Sequence, residues 1–267
     1  MSFLRAQKII FASIVSILLA GTAWATPISD NYVGATDSLN RDVIGHHDQF
    51  DINGADVQRV GDELRVRVFT NFAGLADNGL YSGYTSGNKG IGYGDLFLAP
   101  SWNPHGNAPY LDDDYSNGTT WTHAFSLENR WSDSGGAGFL FKLNPQAKDS
   151  QILLSDEFIT GASYRNGQEV AVEMNSGALL QNGSWSVGDS DLDSDSVPDY
   201  IQFIINLSGV DTLLTSDYIA FHWTMTCGND VIEGHVPNSV PEPSSVLLLG
   251  LGLLGVAGMG RMKLKKK

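Results

Sequence analysis

The strongest constraint on the fold of this chain is a series of short segments in which apolar and polar residues alternate. Leu64–Thr70 is the clearest, because Arg65 and Arg67 separate its apolar positions with the period of two of a half-buried strand. Eight further segments have comparable patterns: Gly94–Leu98, Trp121–Leu127, Gly138–Leu143, Gln151–Leu154, Val170–Met174, Ser184–Val187, Tyr200–Leu207 and Tyr218–Thr226. No segment has a convincing amphipathic helical pattern. The sequence therefore predicts an all-β fold, an antiparallel β-sandwich of the jelly-roll type.

Glycine, asparagine, aspartate and serine are concentrated between the predicted strands. The pairs Asn117-Gly118, Asn166-Gly167 and Asn182-Gly183 supply the positive φ angles that tight hairpin turns require. We find neither an internal repeat nor an interior linker in this part of the chain. Residues 26–235 are therefore predicted to form one domain.

Residues 1–25 have the three parts of a secretory signal peptide. Two basic residues precede the apolar run Ile9–Ala20, and Ala23-Trp24-Ala25 is a small-x-small cleavage site. The alternative is an uncleaved N-terminal anchor, but the apolar run is short and no polar flank locks it in a membrane. The sequence thus predicts export, with a mature chain that starts at Thr26.

The C-terminal end has the features of a single membrane span. The residues between Glu242 and Arg261 carry no charge and, at about 1.5 Å per helical residue, reach roughly 27 Å, close to the thickness of a bilayer core. The basic tail at 261–267 then places the C-terminus in the cytoplasm. Several glycines weaken the span. We therefore expect a temporary anchor at 244–260, preceded by a proline-containing stalk at 236–243.

Four residues ahead of the span, Val240, Pro241, Glu242 and Pro243, complete a tripartite C-terminal pattern. This motif is followed by a Leu/Gly-rich span and a basic end. The three parts in this order resemble the PEP-CTERM sorting signal of exosortase-processed surface proteins of Gram-negative bacteria. The resemblance implies that the C-terminal helix first anchors the protein in the inner membrane. It also implies that an exosortase then cleaves near the motif, and that the protein reaches the cell surface or an exopolysaccharide matrix. The alternative is an ordinary proline stop before a membrane helix.

The mature part of the chain is strongly acidic. Nine of the 16 Lys and Arg and 29 of the 30 Asp and Glu lie between Thr26 and Ser239, a formal charge of −20. This charge argues against nucleic acid and anionic lipid as partners, and it favours divalent cations. Cys227 is the only cysteine, so the exported domain has no internal disulfide bond. We expect Cys227 to be a small buried hydrophobic residue, with a reactive thiol as the alternative.

An acidic stretch at 191–199 is the sharpest chemical motif. Aspartates at its positions 1, 3, 5 and 9 resemble the calcium loops of EF-hand-like and thrombospondin type 3 repeats. The ligands that this resemblance implies for Ca²⁺ are Asp191, Asp193, Asp195, Asp199 and, through its carbonyl, Val197. Ser196 stands where such loops have glycine, and Gln202 stands where they have a bidentate glutamate. The alternative is a solvated acidic turn before the next strand.

The segment 100–120 is long for a passive connection and is rich in aromatic and acidic residues. Aromatic rings stack on the apolar face of a pyranose, while carboxylates accept hydrogen bonds from its hydroxyl groups. Four residues are therefore candidate carbohydrate contacts: Trp102, Tyr110, Tyr115 and Asp113. The alternative is that the aromatic side chains cover one end of the sandwich beside a solvated acidic turn.

No familiar catalytic motif is present in the sequence. Gly-x-Ser-x-Gly, His-Glu-x-x-His and a close constellation of acidic residues such as glycosidases use are all absent. We therefore expect a protein that is not an enzyme. The predictions together favour an exported, exosortase-processed surface or exopolysaccharide-matrix protein that calcium stabilises. The alternatives are a lectin-like carbohydrate-binding module and, third, a polysaccharide-active enzyme.

Overall fold

The computed structural model describes residues 25–35, 41–161, 163–173, 177–190 and 197–238. This part of the chain is mostly β-structure with short helices, so the predicted all-β class is confirmed. The strands are β1 (Thr26–Ile28), β2 (Ile52–Val60), β3 (Glu63–Thr70), β4 (Leu96–Ala99), β5 (His123–Leu127), β6 (Gly136–Lys142), β7 (Ile152–Leu154), β8 (Glu169–Val172), β9 (Ala178–Gly188), β10 (Tyr200–Asn206), β11 (Tyr218–Thr224) and β12 (Val231–Pro237). The helices are α1 (His47–Phe50), α2 (Ser155–Phe158) and α3 (Asp211–Leu214), with 3-10 turns at Ala76–Asn78, Ser82–Tyr84, Ser86–Asn88 and Pro145–Ser150.

Ten of the described strands form one antiparallel sheet, in the order β1-β2-β3-β10-β9-β6-β5-β4-β11-β12, and β7 pairs with β8 in a separate hairpin. The two edges of the large sheet lie close together. A Cβ placed on Gly234 in β12 would be 3.1 Å from Ile28 Cγ2 in β1. Asp230, just before β12, accepts a hydrogen bond of 2.6 Å from the amide of Ile52 in β2. The sheet is therefore nearly closed, and the two packed sheets of a sandwich are not confirmed.

The inner face of the sheet forms the main hydrophobic core. Strand β3 buries Leu64, Val66 and Val68 completely, and the adjacent β10 buries every second residue from Ile201 to Ile205. Successive side chains of a strand point to opposite faces of the sheet. The burial pattern therefore confirms the period of two that the sequence predicted for these strands.

Part of the outer face is covered by a second hydrophobic cluster. Strands β4 and β5 are buried along their whole length, because the β7–β8 hairpin and the segment after β4 pack against their outer side. The buried members of this cluster are Phe97, Ala99, Trp121, Ala124, Phe141, Leu143, Ile152, Val172 and Ala220. The cover places polar residues of β8, β11 and β12 in a buried environment, which is where the candidate site lies.

All nine predicted strands are present, with shifted boundaries, whereas β1, β2 and β12 were not among the nine. Strand β12 continues to Pro237, beyond the predicted end of the domain at 235 and into the predicted stalk. Residues 1–24 of the predicted signal peptide (1–25) and the whole predicted C-terminal span (244–260) lie outside the described residues, so both stay predictions. Within the described ranges, no helix has the length and hydropathy needed to cross a bilayer.

Candidate functional site

The outer faces of β11 and β12 carry a row of polar and aromatic side chains. Tyr218 and His222 lie on the outer face of β11, since Ile219 and its alternating neighbours belong to the inner core. The strand register pairs His222 with Glu233 and places His235 further along β12 on the same face. The segment 100–120 packs beside this row, and the two together form an open groove.

The groove has a volume of about 630 Å³ and aromatic walls made by Trp102, Tyr218 and His235. The ring centroids of Trp102 and His235 are 5.0 Å apart, and those of Tyr218 and His235 are 5.2 Å apart. The remaining lining residues are Pro100, Ser101, Thr215, Ser216 and Asp217. Aromatic faces beside hydroxyl and carboxylate groups provide the two kinds of contact that a sugar ring makes.

The indole of Trp102 is held in place from behind. Its Nε1 donates a hydrogen bond of 2.7 Å to Glu233 Oε1, and the hydroxyl of Thr119 donates to the same oxygen at 3.0 Å. Tyr110 packs edge-on against the indole, with ring centroids 5.4 Å apart. The ring is therefore fixed before any ligand binds, which reduces the entropy that binding would cost.

Beneath the groove, Glu233 belongs to a buried network of acids and a histidine. His222 Nδ1 lies 3.3 Å from Glu233 Oε2, and His222 Nε2 lies 2.8 Å from the carbonyl oxygen of Glu169. Burial lowers the pKa of His222, but the hydrogen bond to Glu233 and the charges of Glu169 and Glu233 outweigh burial and raise this pKa. The network therefore favours the protonated imidazole.

Glu169 also lines a second pocket of about 210 Å³, where Tyr115 and Trp121 are among the neighbouring residues. Trp121 Nε1 donates a hydrogen bond of 3.2 Å to Glu169 Oε1. Burial raises the pKa of Glu169 to about 7, although the charge of His222 opposes this shift. A carboxyl group with such a pKa can donate as well as accept a hydrogen bond near neutral pH.

The structure separates the four predicted carbohydrate contacts. Trp102 lines the groove, Tyr110 supports it from behind, and Tyr115 lies at the second pocket. Asp113 is buried, and its Oδ2 accepts a hydrogen bond of 2.9 Å from the hydroxyl of Tyr32. Burial raises the pKa of Asp113 to about 6. Asp113 is thus placed to anchor the loop and does not line the groove.

The predicted calcium loop falls largely outside the described residues. Asp191, Asp193 and Asp195 are not described, while Val197 is 55% exposed. The two carboxylate oxygens of Asp199 accept hydrogen bonds from the amide and the hydroxyl of Ser190. Calcium binding by this loop stays a prediction.

Cys227 is 1% exposed, and burial raises the pKa of its thiol to about 12. A thiol with this pKa is almost entirely protonated at neutral pH and is a poor nucleophile. The expectation of a small buried hydrophobic residue is confirmed.

Sequence reasoning missed the part that β12 plays in the site. The available signal was the alternation within 231–237, where Glu233 and His235 alternate with smaller or apolar residues. This signal becomes informative only with the β11–β12 register, because the register brings Glu233 to the buried His222.

Comparison with known families identifies the C-terminal end of the chain. The PEP-CTERM protein-sorting motif matches residues 239–261, so the chain carries this motif and the resemblance of Val240, Pro241, Glu242 and Pro243 is confirmed. The motif implies an exported protein that is sorted to the cell surface with processing by an exosortase. No curated protein and no solved structure matches the chain.

Proposed function

We propose that this protein is a non-catalytic component of the cell surface or of the exopolysaccharide matrix, where it holds polysaccharide in the groove at Trp102, Tyr218 and His235. In this proposal an exosortase releases the chain from its C-terminal membrane anchor near the Pro-Glu-Pro motif. The sorting motif at 239–261 supports the destination. The aromatic groove supports the class of ligand.

The arrangement of the three rings is the observation that carries the proposal. Trp102 and Tyr218 both contact the ring of His235 in an open groove, and stacking on such rings requires no charge on the sugar. Asp217 lines the groove and the mature chain is acidic. An acidic polysaccharide would be repelled unless divalent cations bridged it to the protein. Uncharged polysaccharide is therefore the favoured ligand.

Calcium enters this proposal as a stabilising ion. Extracellular calcium at millimolar concentration suits weak oxygen-ligand sites, and the stretch 191–199 has the ligand spacing of such a site. A calcium ion that binds only to the folded state would stabilise the protein by mass action.

Co-sedimentation of the full chain, purified in detergent, with the polysaccharide of its host tests the proposal. We expect binding without the appearance of new reducing ends. Tyr218→Ala and Trp102→Ala should each weaken binding by up to about tenfold, since one aromatic contact contributes about 0.5–1.5 kcal/mol. Tyr84→Ala is the matched control, because Tyr84 is 51% exposed, Tyr218 is 46% exposed and Tyr84 does not line the groove. Equal binding by the Tyr218→Ala and Tyr84→Ala variants would contradict the proposal.

A polysaccharide-active enzyme is the second candidate, and one observation favours it. Glu169 has a pKa of about 7 and lines a pocket, and a carboxyl group with a raised pKa in a cleft is a candidate general acid. Release of reducing ends by the parental protein, together with its loss in Glu169→Gln, would replace the non-catalytic proposal with this one.

A further inference from the structure

Three aspartates from separate parts of the chain converge where the edges of the large sheet meet. Asp30 follows β1, Asp42 precedes α1, and Asp230 precedes β12. One carboxylate oxygen of each lies within 4.8 Å of those of the other two. Asp230 also reaches across the sheet edge, since it accepts the hydrogen bond from the amide of Ile52.

Both carboxylate oxygens of Asp30 are buried, and neither forms a hydrogen bond of standard geometry within the part of the chain that the structure describes, although the backbone of Tyr32 is near enough to lower the pKa of this group. A buried carboxylate without a partner is costly, and such groups are rare in folded proteins. Asn229, which precedes Asp230 in the sequence, is 4% exposed, and its Oδ1 also lacks a partner among the described residues. This end of the sheet therefore contains desolvated oxygens that the protein itself does not use.

A buried arginine holds the three acid-bearing segments together without pairing with their carboxylates. Arg165 is fully buried, and the hydrogen bonds that its guanidinium donates to described residues all go to backbone oxygens within four residues of the aspartates. The acceptors are the carbonyl oxygens of Gly34, Arg41, Asp42 and Gly228. Among the described residues, no Lys, Arg or His forms an ion pair with any of the three aspartates. Arg165 thus positions the three aspartates without forming a salt bridge to any of their carboxylates.

We propose that Asp30, Asp42 and Asp230 bind a divalent cation, with Ca²⁺ as its occupant outside the cell. The donor set consists of oxygens alone, which hard cations such as Ca²⁺ and Mg²⁺ prefer. Oxygens on opposite sides of Ca²⁺ are about 4.6–5.2 Å apart, and those on opposite sides of Mg²⁺ are about 4.0–4.2 Å apart. Carboxylate oxygens that all lie within 4.8 Å of one another can therefore share one such cation, and water would complete its shell.

The ion would fasten the two edges of the sheet to each other. Asp30 belongs to the segment that leaves β1, and Asp230 belongs to the turn that enters β12, the two edge strands of the sheet. A single cation bound to both residues links these edges without any strand pairing between them. The site involves none of the residues of the predicted loop at 191–199, so the two sites can be tested separately.

Calcium titration of the full chain in detergent, after treatment with a chelator, tests the proposal. The parental background carries Asp193→Ala and Asp195→Ala, so that the predicted loop contributes no binding. We expect one calcium ion per chain by calorimetry. Asp30→Asn retains the shape of the side chain but removes its charge, and it should weaken calcium binding at least tenfold. Asp42→Asn should act in the same direction, and Asp42 is exposed, so its replacement carries little risk to folding.

Asp62→Asn is the matched control, because Asp62 is an exposed aspartate in the turn between β2 and β3, outside the cluster. This variant should bind calcium within twofold of the parental affinity, and circular dichroism checks that all variants are folded. Equal affinities for the Asp30→Asn, Asp42→Asn and Asp62→Asn variants would overturn the proposal. The absence of binding to the parental background at millimolar calcium would overturn it as well.

Discussion

At two places in the described part of the chain, aspartates lie beside a buried arginine, and at one of them the aspartate has a complete set of partners. Arg130 Nη2 lies 2.9 and 3.0 Å from the two carboxylate oxygens of Asp95. The amides of Leu127 and Val172 donate to the same carboxylate at 2.9 and 2.7 Å. Each oxygen of Asp95 thus accepts one backbone amide and one contact from the guanidinium, which leaves nothing for a ligand to supply.

The cluster of Asp30, Asp42 and Asp230 differs from the Asp95–Arg130 pair in the partners of its carboxylates. Arg165 donates to backbone carbonyls there, and Asp230 accepts the amides of Ile52 and Val231. The Asp30 carboxylate forms no hydrogen bond of standard geometry with the described residues. Burial raises the pKa of Asp30 to about 8, and the neighbouring charge of Asp42 adds to this shift. The comparison teaches that burial of an acid alone does not indicate function. The informative feature is a buried acid whose partners are missing.

Breaking the complete pair should have the largest effect. Asp95→Asn removes the charge that compensates Arg130, and a buried pair that loses one partner costs about 3–5 kcal/mol. Urea unfolding should show this loss equally with calcium and with chelator. A loss below about 1 kcal/mol, or one that calcium reverses, would contradict the distinction between the two arrangements.

Glu169 is intermediate between these two arrangements, since it has one indole donor and a nearby histidine. The pH dependence of the protein's stability should reveal this. Burial raises the folded-state pKa of Glu169 to about 7 from the ordinary value of 4.5 for a glutamate. The folded state therefore binds more protons than the unfolded state between about pH 4.5 and 7, and stability falls as the pH rises through this window. Since one pKa unit corresponds to about 1.4 kcal/mol, the fall in the free energy of unfolding that Glu169 causes across this window is at most about 3.5 kcal/mol.

Denaturant unfolding at several pH values measures how steeply the free energy of unfolding falls with pH. Glu169→Gln should reduce this slope. The remaining slope belongs to other buried groups such as Asp113, whose pKa is also raised by burial. An identical pH profile for the Glu169→Gln variant and the parental protein would show that Glu169 does not hold the proton.

Much of the fold was predictable because strand periodicity is a local property of the sequence. Leu64–Thr70 and Tyr200–Leu207 show it clearly, and both became neighbouring strands of the sheet. β1 has only three residues, too few to display a period. β12 contains Gly234 and ends at Pro237, both of which are untypical of strands. Closure of the sheet through its two edges was not predictable, since it depends on how strongly ten strands twist and curve together.

The candidate site was only half predictable for a related reason. The composition of the segment 100–120 pointed to Trp102, because aromatic and acidic residues concentrated there. The other walls, Tyr218 and His235, are brought to Trp102 by the pairing of β11 with β4 and β12. Likewise, Asp30 and Asp230 are separated by most of the domain, and no local spacing relates them.

Hydrogen exchange provides the smallest but most local comparison of the two acidic groups. The amide of Ile52 donates to Asp230, whereas the amide of Leu127 donates to Asp95. If calcium links Asp30 to Asp230, the amide of Ile52 can exchange by local opening only after the ion has left. At ten times its dissociation constant, calcium should therefore slow this exchange about tenfold, equivalent to about 1.4 kcal/mol.

The amide of Leu127 is the internal control for this measurement, which uses the same Asp193→Ala and Asp195→Ala background. Its exchange should not respond to calcium, because the Asp95–Arg130 pair is complete without an ion. Asp30→Asn should remove the calcium-dependent protection at Ile52 and leave Leu127 unchanged. Equal slowing at both amides would instead indicate a global stabilisation, and the ion would then not act as a local link between the edges of the sheet.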